Sequence, residues 1–192
     1  MHSEALAARG FFIEDAFLEA SELEALLACA RIRRERGEFA AAAIGVGAGL
    51  KHLPSLRGDL TCWLAEPLED AERRLLARLE EVRLALNRSL FLGLFDLELH
   101  YACYPPGARY ARHVDQPRGR AQRKVSVVLY LNPSWQESDG GALRLYESGG
   151  FFDVLPEGGR LVCFRTEGRE HEVLSARQER LSLSGWFRAR DP

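Results

Sequence analysis

The sequence predicts a mainly β protein: a double-stranded β-helix, or jelly roll, with N-terminal helices packed on one sheet. Three observations lead there. From residue 96 onward, apolar residues alternate with period two in eight short segments divided by turn residues. Before residue 96, two longer segments carry apolar residues at helical spacing. Finally, His113-Val114-Asp115 lies on one of the short segments, His171 follows 56 positions after Asp115, and Arg180 comes nine positions after that.

Composition sets the outer limits. The chain has 192 residues, 46% hydrophobic and 28% charged, which is ordinary for a globular protein. One domain over 1–192 is expected, with 1–95 as a helical support carrying a finger loop and 96–192 as the jelly-roll core. A net charge of −2 speaks against a nucleic-acid binder. Cys29, Cys62, Cys103 and Cys163 form no C-x-x-C pair. The first residues lack the basic and apolar regions of a signal peptide, and no apolar run nears the roughly 20 residues of a membrane span. A cytoplasmic, reduced, monomeric protein without membrane contact is the expectation.

The elements follow in order. Gly10-Phe11-Phe12-Ile13 reads as a strand. Ser21 and Glu24 have capping-box spacing ahead of an apolar stripe (Leu23, Leu26, Leu27, Ala30, Ile32) that ends at Gly37. Residues 39–50, rich in Ala and Gly, have no period and read as a loop or finger. Arg57-Gly58-Asp59 turns the chain into a strand at 60–63. A helix over about 68–90 carries Leu75, Leu76, Leu79, Val82 and Leu86 on one face, with Glu69, Asp70 and Glu72 at the start, where its dipole favours acids. Beyond it, Leu97, Leu99, Tyr101 and Cys103 point one way, and Glu98, His100, Ala102 and Tyr104 the other. Strands then follow at 109–114, 124–131, 142–146, 152–155, 160–164, 170–174 and 179–187, separated by Pro- and Gly-containing turns.

His113 and Asp115, one residue apart on a strand, share a face and can ligate one metal. With five His and eight Asp in the chain, chance supplies H-x-D in roughly one such sequence in five, so the motif alone is weak. His171 completes the set of two His and one carboxylate that holds non-haem Fe(II). Its neighbours Glu170 and Glu172 nevertheless read as an exposed strand. On the last strand Arg180, Ser182, Ser184 and Trp186 share one face, which either meets water or lines the barrel. In the second case Arg180 sits in a polar pocket and takes a carboxylate in a bidentate pair. Tyr130, in phase with Ser126 and Val128, is either a core tyrosine or a donor to that carboxylate.

Several stretches together resemble the Fe(II)/2-oxoglutarate-dependent oxygenases of the prolyl 4-hydroxylase family, including the oxygen-sensing prolyl hydroxylase domains and their bacterial relatives. They are Arg57-Gly58-Asp59 with Trp63, Ala102-Cys103-Tyr104-Pro105, Tyr110 to Asp115 with Pro117, Tyr130-Leu131-Asn132, Gly140 to Arg144, His171-Glu172-Val173, and Arg180 through Trp186. The resemblance implies His113, Asp115 and His171 as iron ligands and Arg180, Tyr130, Tyr104, Ser184 and His100 around the co-substrate. It implies Asp59, Arg123 and Trp186 on the substrate side. At His100 relatives place a larger apolar residue. The implied activity is 4-hydroxylation of a prolyl residue in a protein, using Fe(II), 2-oxoglutarate and O2, with ascorbate as reductant, and releasing succinate and CO2. Elongation factor Tu is the kind of substrate that bacterial relatives suggest. Three alternatives stay open: a same-fold oxygenase acting on a small molecule or free amino acid, a cupin-type metalloenzyme that needs no 2-oxoglutarate, and, least favoured because triad and arginine are both complete, a non-catalytic jelly-roll binding module.

Overall fold

Period-two segments pair edge to edge, and in this chain they pair into two antiparallel sheets. The fold is that of a computed structural model describing residues 2–43, 51–115 and 122–190. In chain order its elements are α1 (His2–Arg9), β1 (Phe11–Glu14), α2 (Ala20–Glu35), β2 (Ala40–Ala41), β3 (Leu60–Trp63) and α3 (Asp70–Leu90). Then come β4 (Leu94–Tyr104), β5 (Tyr110–His113), β6 (Arg123–Tyr130), β7 (Leu143–Glu147), β8 (Gly150–Val154), β9 (Leu161–Arg165), β10 (His171–Val173) and β11 (Arg180–Ala189). The larger sheet runs β1-β9-β6-β11-β4-β3-β2, and the smaller runs β5-β10-β7-β8. Together they form a double-stranded β-helix.

Alternation decides what each face buries. Leu99, Tyr101 and Cys103 of β4, Val125, Val127 and Leu129 of β6, and Leu181, Leu183 and Phe187 of β11 face Leu26, Leu75, Leu79 and Leu86 of the helices. Each such side chain, fully buried, contributes about 1.5–3 kcal/mol. The opposite face, with Ala102, Tyr104 and Tyr130, meets Leu143, Leu145, Val154, Val173 and Phe164 between the sheets. The polar face of β11 therefore points into the barrel, not to water: Arg180 is 1% exposed and Ser182 fully buried.

The helices are tied to the sheet by one buried carboxylate. Glu72 accepts two bonds from Arg33 (both 2.7 Å), one from the Tyr101 hydroxyl (3.0 Å) and one from its own helix start, the Glu69 N–H (3.0 Å). This joins α2, α3 and β4 at one point.

Two expectations about the elements change, and one further element is found. The first long helix is capped at Glu19, not Ser21, because the Glu22 carboxylate takes the N–H of Glu19 (2.9 Å) and sets the box two residues earlier. A short helix, α1, precedes β1 in a stretch for which the sequence predicts no element, and buries Leu6. Ala40–Ala41, in the stretch read as a loop, pair with Leu60 and Thr61, so edge pairing overrode the low strand propensity of alanine. The sheet thus takes three of its strands from before residue 96. Residues 44–50 of the expected finger, and Pro117, lie outside the described residues.

Candidate active site

Strand register assembles the metal-capable cluster. β10 lies between β5 and β7, and its first residue, His171, sits directly opposite His113. β5 ends at His113, so Asp115 lies just past the strand end and not within it. Its Oδ2 accepts a 2.6 Å bond from the Ser126 hydroxyl of β6, which fixes Oδ1 toward the histidines. The His113 and His171 Nε2 atoms lie 3.4 and 3.5 Å from that Oδ1. The three ligand atoms fall within 4.8 Å of one another.

The second ring nitrogens select the tautomer. Nδ1 of His113 lies 2.8 Å from the Ala111 carbonyl, and Nδ1 of His171 lies 3.2 Å from that of Arg169. A carbonyl only accepts, so both protons sit on Nδ1 and both Nε2 lone pairs face the cluster, as metal ligation requires. The rings are also held from the side. Tyr110 stacks on His113 at 3.6 Å and Phe164 meets His171 edge-on at 4.8 Å. His171 is 5% exposed despite its glutamate neighbours, because pairing with both β5 and β7 covers it. Burial alone would raise the Asp115 pKa, yet His171 and His113 hold it well below the carboxylate range. Burial works against a charged His171, but Asp115 beside it raises its pKa above the ordinary imidazole value. Two neutral imidazoles and one carboxylate fit Fe(II) with coordination positions left open.

The second half of the site is built on β4, β6 and β11. Arg180 donates from Nε to the Gly141 carbonyl (2.9 Å), and its guanidinium lies 5.2 and 5.0 Å from the Tyr104 and Tyr130 ring centres. Among the described residues no carboxylate pairs with it. The Tyr130 hydroxyl, also fully buried, finds no hydrogen-bond partner among them. Leaving a buried donor unmet costs about 1–3 kcal/mol, more when the group is charged. A guanidinium with no carboxylate partner among the described residues, beside an unpartnered phenol, therefore fits a bound carboxylate. Gly141 makes room: at φ +71° its added Cβ would sit 2.9 Å from the Ala176 Cβ and 3.3 Å from Arg180 Cδ.

The other residues singled out from the sequence are distributed around these two centres. Tyr104 faces Arg180 across the β4–β11 pair. Ser184 lies further along β11 and shares a 3.1 Å hydroxyl contact with Ser182. His100 is 2% exposed, between Trp63 (ring centres 4.6 Å) and Trp186 (5.7 Å), and burial holds its pKa down to about 4. Arg123 lies 3.4 Å over the Trp186 ring and donates to the Asp115 carbonyl (3.3 Å) and to Glu98 (3.4 Å). Asp59 is fully covered by a bidentate pair with Arg57 (2.8 and 3.0 Å), so Arg57, not Asp59, presents a surface outward. Arg57 in turn rests 4.7 Å over Tyr110, the ring stacked on His113. Sequence reasoning gave no role to Tyr110, Ser126, Arg57 or the Gly141 carbonyl. Ser126 was findable from its phase with Tyr130; the Arg57–Tyr110–His113 stack needs tertiary contacts.

Comparison with known proteins agrees with this geometry. The family model described as the 2OG-Fe(II) oxygenase superfamily matches residues 99–188. A Pseudomonas putida prolyl-4-hydroxylase crystal structure is 43% identical, covers 99% of this chain and 98% of its own, and superposes with a TM-score of 0.90. A Trichoplax adhaerens prolyl hydroxylase in complex with a hypoxia-inducible-factor peptide fragment is 28% identical, with coverage of 98% and 87% and a TM-score of 0.87. Mouse prolyl hydroxylase EGLN3 is 34% identical over 143 residues, 69% of this chain, and the match spans only 59% of that longer relative. The chain belongs to the 2OG-Fe(II) oxygenase superfamily and, within it, to the prolyl hydroxylase family.

Proposed function

We propose that this protein is an Fe(II)- and 2-oxoglutarate-dependent dioxygenase that hydroxylates a prolyl residue in a protein at the 4 position. The observation that carries the reading is Arg180, a buried guanidinium with no carboxylate partner among the described residues, beside the unpartnered Tyr130 hydroxyl, in the same chain as the His113–Asp115–His171 cluster. A metalloenzyme that ignores 2-oxoglutarate would leave that arginine without a role.

When bound, Fe(II) and 2-oxoglutarate supply the oxidising power that inserts one atom of O2 into a C–H bond, with succinate and CO2 as by-products. The protein's part is binding, orientation and shielding. His113, Asp115 and His171 would hold the metal, with Ser126 and the Ala111 and Arg169 carbonyls fixing their orientation. Arg180 and Tyr130 would hold the distal carboxylate of 2-oxoglutarate, with the Tyr104 ring against the guanidinium. Leu143, Leu145, Val154 and Val173 line the space between the sheets and exclude water. On the substrate side, Trp186 clamped by Arg123, and Arg57 held by Asp59, would receive the polypeptide.

A proline in a polypeptide, and not a free amino acid, is favoured by the peptide bound to the Trichoplax relative. Elongation factor Tu is the kind of protein proposed as substrate, and ascorbate the reductant that keeps iron ferrous. A single-domain, monomeric, cytoplasmic enzyme that binds no nucleic acid completes the reading; no helix among the described residues is long and apolar enough to cross a membrane.

The test is succinate release from 2-oxoglutarate by the Fe(II)-loaded protein under oxygen and ascorbate. Prolyl peptides should accelerate it and gain one oxygen atom by mass spectrometry. No succinate with any peptide or protein extract would sink the proposal.

A further inference from the structure

We infer that His100 selects the co-substrate: with Trp186 it forms a second polar anchor, at the metal end of the pocket, for the 2-oxoglutarate carboxylate adjoining the keto group. The inference rests on the proposed use of 2-oxoglutarate and adds to it a residue that the resemblance itself marks as a departure.

Two buried nitrogens have nothing to bond. Nδ1 of His100 (2% exposed) and Nε1 of Trp186 (8% exposed) find no partner among the described residues, although the rings lie 5.7 Å apart. An indole N–H only donates, and a neutral imidazole can donate from Nδ1, so an acceptor oxygen meets both needs. The burial that holds His100 uncharged near neutral pH makes it a donor without a competing charge. Arg57, Asp59, Asp115 and Arg123 are the charged groups that act on it.

Strand register places this pair. Along β11, Arg180 lies opposite Tyr104, Ser182 opposite Tyr130, Ser184 opposite His100, and Trp186 opposite Ser126. Ser126 holds Asp115. The barrel interior is therefore bracketed by two polar groups, Arg180 and the unpartnered Tyr130 hydroxyl at one end and the unpartnered His100 and Trp186 nitrogens beside the metal cluster at the other. A short dicarboxylate has an acceptor group at each end. A surface polypeptide does not reach Nδ1 of His100, because the half-exposed Trp63 ring lies against His100 and meets that chain first.

Calorimetric binding to Mn(II)-loaded protein without oxygen tests this apart from turnover. His100→Met should weaken 2-oxoglutarate by roughly 10-fold or more, the effect of one hydrogen bond to a charged group. Levulinate, which keeps the keto group and distal carboxylate but lacks the adjoining one, should bind both proteins equally. His100→Asn, whose amide nitrogen reaches the place of Nδ1, should restore most of the affinity, and His100→Gln, which reaches toward Nε2, should not. That comparison also decides the matter if His100→Met fails to fold. Unchanged 2-oxoglutarate affinity in His100→Met, an equal loss for levulinate, or a loss confined to a prolyl peptide would each overturn the inference. Wild-type protein that binds no 2-oxoglutarate with metal would overturn the proposed function instead.

Discussion

At the residue scale, Arg180 and the metal cluster behave as two dependent halves. Arg180→Ala removes the buried guanidinium proposed to pair with the distal carboxylate, so the 2-oxoglutarate requirement should rise roughly 100-fold in succinate assays. Arg180→Lys should recover little, because a point charge cannot make the bidentate pair. An unchanged requirement in either variant would remove 2-oxoglutarate from this pocket. His113→Ala should abolish stoichiometric metal binding, measured by elemental analysis after dialysis; retained metal would place the site elsewhere. Metal binding should also depend on pH. The raised His171 pKa stabilises the metal-free fold fully below the ordinary imidazole value near 6.5 and less as pH rises through its folded value. The depressed Asp115 pKa adds stability above the ordinary carboxylate range, lost as pH falls through its folded value. Metal needs His171 neutral, so Mn(II) affinity should still be climbing above a pH of about 6.5. A plateau by that pH in calorimetric titrations would contradict the assignment. From the sequence the ligand types and their spacing were legible. The burial of His171 was not, because its glutamate neighbours reflect the strand's other face.

At the element scale, the helices matter through one node. Arg33→Ala strands the Glu72 carboxylate in the core and should cost about 3–5 kcal/mol in denaturant unfolding. A loss within the range of a surface ion pair would show that the node adds nothing. Glu72 is held below its usual pKa by Arg33 against the opposing effect of burial, so this support should fade as pH drops through its folded value. Gly185, in the middle of β11, is a second fixed point. An added Cβ would sit 1.9 Å from the Glu98 carbonyl on β4, so Gly185→Ala must push two paired strands apart. It should leave little folded protein by circular dichroism, and a native-like melting curve would show that the register can shift. Strands and long helices were readable because their burial periods of 2 and 3.6 are written directly in the residue order. The start of α2 and the pairing of Ala40–Ala41 were not, since caps and edge strands depend on which side chain or neighbour is nearest in space.

For the whole molecule, residue order by itself determined the double-stranded β-helix class, the apolar and the mixed face of β4, and the residue types that could serve as metal and carboxylate centres. The first two follow from alternation, a local property, and the third from the resemblance of several separate stretches to a known family. Tertiary structure alone decided the rest. It turned the polar face of β11 inward by packing Leu181, Leu183 and Phe187 on the helices. It set His171 opposite His113, covered Asp59 with Arg57, and left Tyr130, His100 and Trp186 with unspent polar atoms in one interior. The physical reason is that a side chain's hydrogen-bond partners come from other strands through register, and register is a relation between distant segments that no single stretch of sequence contains.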